Sequence, residues 1–379
     1  MKKILLVSEL YFPHGSAMSE RMNAFLKLFK DLGFETHTIA MHTDADINLN
    51  EYNGFSYEII KNTQRTTLDS FFGSNEFIDR INNYLKNNKV DYVFAAAVHA
   101  KFNKLLKTCK ANNVPLILEQ CEWYDVSSYK FGYLDYRYIR FNYNIKNNYK
   151  KADYIVSISR LLDDYYRGLG CKSIRIPSIF DVEETKFIES THNQKIELIY
   201  AGNPSKSKDS LVPIIEAIAL NKDLENKFNF NICGPSKNEI INLLGDKKDL
   251  LNSKSIIVKG NLKKDELIKC LNNSDYQIFV RPNRRSSNAG FSTKFGESMS
   301  IGLPVITNLT SDIDLYLKDG INGFVCKGNT TNDVVEVLNK VSTIDKTKTL
   351  SIRKQARITA EEYFDYRKYE DDIQKFLTF

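Results

Sequence analysis

The residues best equipped for chemistry lie in one stretch, IFVRPNRRSSNAGFSTKFGESMSIGLPVIT. An apolar run delivers Arg281, and a polar loop follows with Arg284, Arg285 and Asn288. A helix is expected from about Thr293, with Ser292 just before it, Lys294 in its first turn and Glu297 one turn later. Cations normally avoid a helix N-terminus, whose unpaired N–H groups carry partial positive charge. Lys294 in that place implies an anion between its ammonium and the free N–H groups, as a phosphate would be. Glu297 has the chemistry to accept hydrogen bonds from a sugar hydroxyl pair such as a ribose. Gly296, Met299, Gly302 and Pro304 read as tight packing, which sets the stretch apart from an ordinary solvated loop.

Two other loops carry anion-binding residue types. The run IELIYAG exits into Gly202, Asn203, Pro204, Ser205, Lys206, Ser207, Lys208 and Asp209. Two lysines just before a helix suit a diphosphate, although loop lysines are equally at home in solvent. Near the start, YFPHGSAMSERM places Gly15 where backbone can approach a ligand, Ser16 or Ser19 at a helix opening, and Arg21 as added charge. A plain turn with a helix cap accounts for the same residues. His99 after VDYVFAAAV and Glu122 after VPLILEQ stand at strand ends and are expected to face the same ligand cleft.

Metal chemistry has little support. The six cysteines form no C-x-x-C pair and the five histidines do not cluster with them. The D-x-D strings Asp44–Asp46 and Asp312–Asp314 are cheap matches in a chain with 47 acids, so no metal is expected.

These residues need a scaffold, and the apolar periodicity supplies one. Lys3–Ser8 is an apolar run of the kind found in strands buried on both faces. Met22, Phe25, Leu26, Phe29 and Leu32 follow at helical spacing, closed by Gly33. Further strands are expected at Thr36–Met41, Asp91–Ala97, Val114–Glu119 and Tyr154–Ser159, with helices at about Asn75–Lys86 and Lys101–Asn112. The alternation restarts after Pro177 with strands at Ile196–Ala201, Phe228–Cys233, Ile256–Lys259, Tyr276–Val280 and Pro304–Thr307. Amphipathic stretches Leu211–Leu220, Lys264–Leu271 and Lys294–Ser300 separate them. Two such blocks imply an α/β protein with two Rossmann-like, doubly wound parallel sheets facing across a cleft. The expected domains are 1–180 and 181–363, with the polar run DVEETKFIESTHNQ at the boundary. A last helix, Ile352 to Phe379, is expected to pack back on the first domain through 364–379. Ligands of such folds lie beyond the carboxyl ends of the strands.

Composition excludes some classes. The chain has 379 residues, 42% hydrophobic and 26% charged, as in an ordinary globular protein rather than a disordered one. Its N-terminus, MKKILLVSELYFP, has too short an apolar run for a signal peptide or a spanning helix, so a soluble or peripheral cytoplasmic protein with reduced thiols is expected. The net charge of +6 is mild, but the 21 Tyr and 23 Phe are many. Eight of these aromatics crowd into Ser127–Lys151, interleaved with Lys130, Arg137, Arg140, Lys146, Lys150 and Lys151. Phe131, Leu134, Tyr138, Phe141 and Ile145 form an apolar stripe at helical spacing, with a cationic and aromatic face opposite. That pattern suits an anionic membrane surface, and equally a helix covering the first sheet. No nucleic-acid motif accompanies it.

The order and spacing of these segments resemble the retaining glycosyltransferases of the GT-B fold, family 4, with its group 1 transferase C-terminal domain. KADYIVSISRLLDDYYRGLGCKSIRIPSIFD looks like the end of that family's first domain, and YAGNPSKSKDSLVPIIEAI like the opening of its second. VKGNLKKDELIKCLNNSDYQIFVRP, FSTKFGESMSIGLPVIT and DGINGFV resemble its middle and its sugar-nucleotide segment.

The resemblance implies a donor site with Gly15 beside the phosphates and Lys208 at the diphosphate; Ser16, Asn203, Lys206, Arg281 and Asn288, from the loops read above, are expected to complete it. Gly290 and Phe291 would hold the transferred sugar through backbone groups, followed by Ser292, Thr293 and Lys294, with Glu297 on the ribose. Lys294, Glu297 and Lys208 are the expected catalytic group; His99 and Glu122, from their places at strand ends, and Arg21 are the expected acceptor side. Two departures stand out: Ala289 occupies the first position of the family's usual glutamate pair, and Asn203 stands where many members have arginine. The implied activity is transfer of a hexose or N-acetylhexosamine from a nucleotide-diphosphate sugar, UDP before GDP, to a glycan or lipid-linked saccharide. A member without turnover that serves as a partner subunit, or a sugar-nucleotide epimerase of similar fold, are the alternatives.

Overall fold

The computed structural model describes residues 2–13, 17–42, 51–52, 54–61, 75–187, 194–204 and 208–377. The chain divides into two compact units, residues 1–180 with 366–379 and residues 181–365.

In the first unit, eight strands form one sheet among the described residues. They are β1 (Lys2–Tyr11), β2 (Phe34–His42), β3 (Glu51–Tyr52), β4 (Phe55–Lys61), β5 (Tyr92–Ala96), β6 (Leu116–Gln120), β7 (Tyr154–Ser157) and β8 (Ser173–Arg175). Their order is β3-β4-β2-β1-β5-β6-β7-β8, parallel throughout except for the β3–β4 hairpin. Ile4 to Val7 of β1 are completely buried, as a central parallel strand covered on both faces requires. The helix Ala17–Asp31 buries Met22, Phe25, Leu26 and Phe29, and the Phe25 and Phe29 rings meet Phe94 of β5 tilted and edge-on, with centroids 4.8 and 5.4 Å away. Gly33 then adopts φ +81°, a left-handed conformation that ends the helix and turns the chain into β2.

The expected single C-terminal helix is three pieces: a helix Lys346–Tyr363 in the second unit, a 3-10 turn Tyr366–Tyr369, and a helix Glu370–Phe376. The break lies where the chain passes from one unit to the other. Asp365 accepts from the Val182 amide at 3.2 Å, while the Tyr366 amide donates to the Phe180 carbonyl at 3.0 Å. Beyond it, Tyr366 bonds Asp31, and Ile373 and Leu377 join the first core.

The second unit holds β9 (Ile196–Ala201), β10 (Phe228–Cys233), β11 (Ile256–Gly260), β12 (Tyr276–Ile278), β13 (Val305–Asn308) and β14 (Gly323–Cys326). All pairs are parallel, in the order β11-β10-β9-β12-β13-β14. The chain winds outward from β9 to β11, then returns to place β12 against β9. That reversal is a topological switch point, where the loops leaving neighbouring strands part in opposite directions and open a ligand crevice. In the first unit the equivalent pair is β1 and β5.

Candidate functional site

At the β9–β12 switch point a buried carboxylate gathers two cations. Asp209 is 2% exposed and accepts from Arg281 Nε at 2.7 Å, from Lys294 Nζ at 2.9 Å and from the Tyr200 hydroxyl at 3.0 Å. Local folding brings them together. Ser210 forms an antiparallel bridge with Val280, its amide donating to the Val280 carbonyl at 2.9 Å, which sets Asp209 beside Arg281. Asn308, ending β13, clamps the Arg281 backbone with two 2.8 Å bonds, one to each side of the peptide.

Lys294 reaches this carboxylate from the first turn of the helix Thr293–Ser300, crossing the face of Gly202 with its ammonium 5.4 Å from the Tyr200 ring centre. Gly202 has φ +143°, and a Cβ there would lie 2.7 Å from Lys294 Nζ. A Cβ on Gly234, after β10, would in turn strike the Gly202 carbonyl. The two glycines therefore clear the path of the lysine.

The electrostatics follow from this packing. Burial alone would favour the neutral acid, but Arg281 and Lys294 outweigh it and hold the Asp209 carboxyl well below its ordinary range. Burial and the adjacent carboxylate push the Tyr200 phenol far up, so it remains a donor. Two cations against one anion leave a net charge of +1, and Lys294, at 18% side-chain exposure, is its most solvent-accessible member. The anion facing Lys294 is thus in the first instance the protein's own Asp209, which fixes the ammonium in place and leaves one excess charge for an incoming ligand.

The expected helix does begin at Thr293, with Ser292 at the cap position but no side-chain cap bond. The hydroxyls of Ser292, Ser287 and Thr310 are buried without a hydrogen-bond partner among the described residues. Asn288 is used internally, accepting from the Ser311 amide at 2.9 Å and donating to Asn283 at 2.7 Å. Gly290 is buried at the end of the short helix Arg285–Ala289, and Ala289 is fully buried. Phe291 packs its ring on Phe295, Tyr316 and Phe364, which anchors the backbone of the loop. Glu297 and Asn203 are exposed and Lys208 is half-buried. Gly15, Ser16 and Lys206 lie outside the described residues, as does the string Asp44–Asp46. In the other D-x-D string Asp312 is buried and Asp314 exposed.

In the first unit His99 leaves β5 at the switch point. Its amide donates to Glu9 Oε2 at 3.1 Å, and its Nδ1 lies 2.8 Å from the Tyr149 hydroxyl. Burial, aided by Arg140, lowers its pKa to about 4, so the ring is neutral near pH 7. Glu122 is half-buried, its carbonyl accepting from the Gln120 amide group at 2.6 Å. Arg21, expected to add charge at an anion loop, is 2% exposed and spent inside the unit. Its Nε donates to Glu119 at 2.6 Å, Nη2 to the Ile176 carbonyl at 2.9 Å and Nη1 to the Pro177 carbonyl. It ties the first helix to the far end of the sheet.

The aromatic stripe of Ser127–Lys151 is not one helical face. Gly132, at φ +57°, and Asp135, a helix cap, put Phe131 and Leu134 in a separate 3-10 turn. Helix proper covers only Tyr136–Tyr143, and a π-helical turn Asn144–Asn148 follows.

With this geometry in place, residues 181–359 match the profile of the family "Glycosyl transferases group 1". The match runs along nearly the whole second unit, which is similar to a group 1 glycosyl transferase domain. A glycosyltransferase of Methanocaldococcus jannaschii is 24% identical over 244 residues, which is 60% of this chain and 58% of that relative's length. Among solved structures, HepE of Anabaena in complex with UDP and glucose superimposes with a TM-score of 0.74 at 14% identity, covering all of both chains. TarM of S. aureus, in complex with UDP and α-GlcNAc-glycerol among other ligands, gives 0.72 at 10% identity over all of both. These likenesses establish the GT-B fold for the two units. Of this charged cluster, sequence reasoning singled out Arg281 and Lys294, and it expected the helix at Thr293. It missed Asp209, whose signal was an acid placed directly after loop lysines at a helix opening.

Proposed function

We propose that the chain is a retaining glycosyltransferase that moves a hexose or N-acetylhexosamine from a UDP-sugar to a glycan or lipid-linked saccharide. The observation that carries the reading is the Asp209–Arg281–Lys294 network at the switch point of the second unit, a rigid site with one excess positive charge. A departing diphosphate needs such charge held in advance, since preorganised cations stabilise developing anions without reorganisation. Lys294 and the first turn of its helix take the phosphates, with Lys208 beside them. In the transfer, the bond from the sugar's anomeric carbon to the diphosphate oxygen breaks and a bond to the acceptor oxygen forms on the same face. The acceptor's proton passes to the leaving phosphate oxygen. Glu297, exposed one turn after Lys294, serves the ribose, and His99 and Glu122 serve the acceptor. The charge compensation assigned to these lysines calls for no metal.

The group 1 match of the second unit supports the transferase class, and the UDP bound by HepE and TarM supports the choice of nucleotide. The setting proposed is the cytoplasmic side of a cell envelope, in assembly of a surface glycan. No helix among the described residues is long and apolar enough to cross a membrane. Ala289, buried where the family's first glutamate would stand, is the observation that favours a binding role without turnover. A thermal-shift screen of nucleotide sugars, followed by turnover with and without acceptor saccharides in EDTA, tests the proposal. A product with retained anomeric configuration supports it; binding without turnover, or epimerised donor without acceptor, replaces it.

A further inference from the structure

We propose that the turn Phe131–Leu134 and the helix after it form a docking element for an anionic lipid bilayer, the turn entering the headgroup boundary and the surrounding cations holding lipid phosphates. This deepens the transferase reading by locating the lipid of a lipid-linked acceptor, and it rests on that reading only for its biological use. The geometry belongs to the first unit alone.

Six of the fourteen exposed large apolar side chains among the described residues fall within thirteen positions, 131–143. Leu134 is 87% exposed, Tyr133 72% and Phe131 66%, and Tyr143, Ile139 and Tyr136 continue the surface. The other eight are scattered, as single surface apolar residues normally are.

The exposure is built in. Gly132 takes a left-handed φ, the Leu134 amide donates to the Phe131 carbonyl at 3.1 Å, and the Asp135 amide to the Gly132 carbonyl at 3.2 Å. Asp135, with only 3% side-chain exposure, caps the helix through the Arg137 amide and holds the Arg137 guanidinium at 2.9–3.0 Å. Behind the turn, Phe141, Ile145 and Tyr149 are buried, and Trp123 donates to Asn142 at 3.0 Å. The element is therefore pinned to its unit by one face while the other faces outward.

Charge identifies the occupant. Ser127–Lys151 carries six cations against the single acid Asp135, a net +5, whereas the whole chain has +6. Lys130 lies 5.7 Å from the Phe131 ring centre, Arg140 5.3 Å from that of Tyr136 and Arg137 5.8 Å from that of Tyr129. Aromatic rings paired with cations are the residue types of the bilayer interface, where the ring sits at headgroup depth and the cation meets anionic phosphate. A nucleic-acid backbone would satisfy the cations but offer nothing to Leu134 at the tip. A hydrocarbon boundary satisfies both.

The test is co-sedimentation of the full chain with vesicles of phosphatidylcholine, with and without phosphatidylserine. Binding is expected only with phosphatidylserine, weakening as salt rises. The double variant Phe131→Ser/Leu134→Ser should lower partitioning about tenfold or more, from two apolar side chains withdrawn, and Lys130→Gln/Lys146→Gln by about tenfold. Both substitute exposed residues, so unfolding temperature and turnover on a soluble acceptor should match the parent. The proposal is overturned by the absence of phosphatidylserine-dependent binding, or by binding indifferent to Phe131→Ser/Leu134→Ser. It is equally overturned if that variant instead dissolves a dimer, or if the chain binds an oligonucleotide and no vesicle. A chain that binds vesicles yet transfers no sugar refutes the transferase reading and leaves this one standing.

Discussion

Replacing Asp209 by asparagine probes the charged network of the second unit at its centre. The carboxylate is 2% exposed and takes bonds of 2.7, 2.9 and 3.0 Å from Arg281, Lys294 and Tyr200. Charges about 4 Å apart attract by about 4 kcal/mol at an effective dielectric of about 20, and dehydration offsets much of this. Removing the one anion of such a buried set costs about 3–5 kcal/mol, because a cation is left buried and uncompensated. Arg281, itself 8% exposed, is left in that position. For a unit of this size each kcal/mol lowers Tm by about 2–4 °C, so the transition of the second unit should fall by roughly 6–20 °C. Calorimetry is the suitable assay, since two units need not unfold together. The acid limb gives a second reading. A carboxyl held below its ordinary value of 3.8 contributes its full stabilisation above that value and loses it as the pH falls through the depressed folded-state value. The parent should therefore lose second-unit stability below about pH 4, and the asparagine variant should lose less. A variant Tm within about 2 °C of the parent, with the same acid limb, would refute the account of the network.

Other perturbations follow from the same geometry. Gly202→Ala places a Cβ against the Lys294 ammonium and should weaken UDP binding about tenfold, while Tm falls only a few °C because the lysine end can move; titration calorimetry checks it. Arg21→Met strands the buried Glu119 and should cost the first unit about 3–5 kcal/mol, read by thermal unfolding, with acceptor KM unchanged in the folded fraction. His99, neutral when folded because burial and Arg140 lower it to about 4, has an unfolded value of 6.5. The unfolded chain then binds the extra proton, so first-unit stability is full above pH 6.5 and declines toward pH 4; His99→Gln should flatten that decline in calorimetric scans.

Much of the scaffold was legible because parallel strands buried on both faces leave unbroken apolar runs. The stretch Ile4–Val7 of β1 is of this kind, and the helices at Asn75, Lys264 and Thr293 announced themselves by spacing or cap residues. The β3–β4 hairpin was not read. Its strand FSYEIIK pairs at a sheet edge, where polar and apolar residues alternate without a continuous run. The C-terminal helix was read as continuous because nothing in the periodicity marks Asp365, whose role comes from the distant amide of Val182. At the site, Arg281 and Lys294 were visible as cations in unusual places. Asp209 was not, since its meaning depends on the Ser210–Val280 bridge, a contact seventy residues apart in sequence. Arg21 was misplaced for the same reason: its partners Glu119, Ile176 and Pro177 are remote in the chain.

The measurement closest to the central claim is equilibrium binding of UDP and UDP-hexoses to the full chain, comparing the parent with Lys294→Met. Loss of one partly buried charge-assisted contact should weaken binding about tenfold or more, with Tm little changed. Parent protein that binds no nucleotide sugar, or a methionine variant that binds UDP as tightly as the parent, contradicts the assignment of the diphosphate to this site.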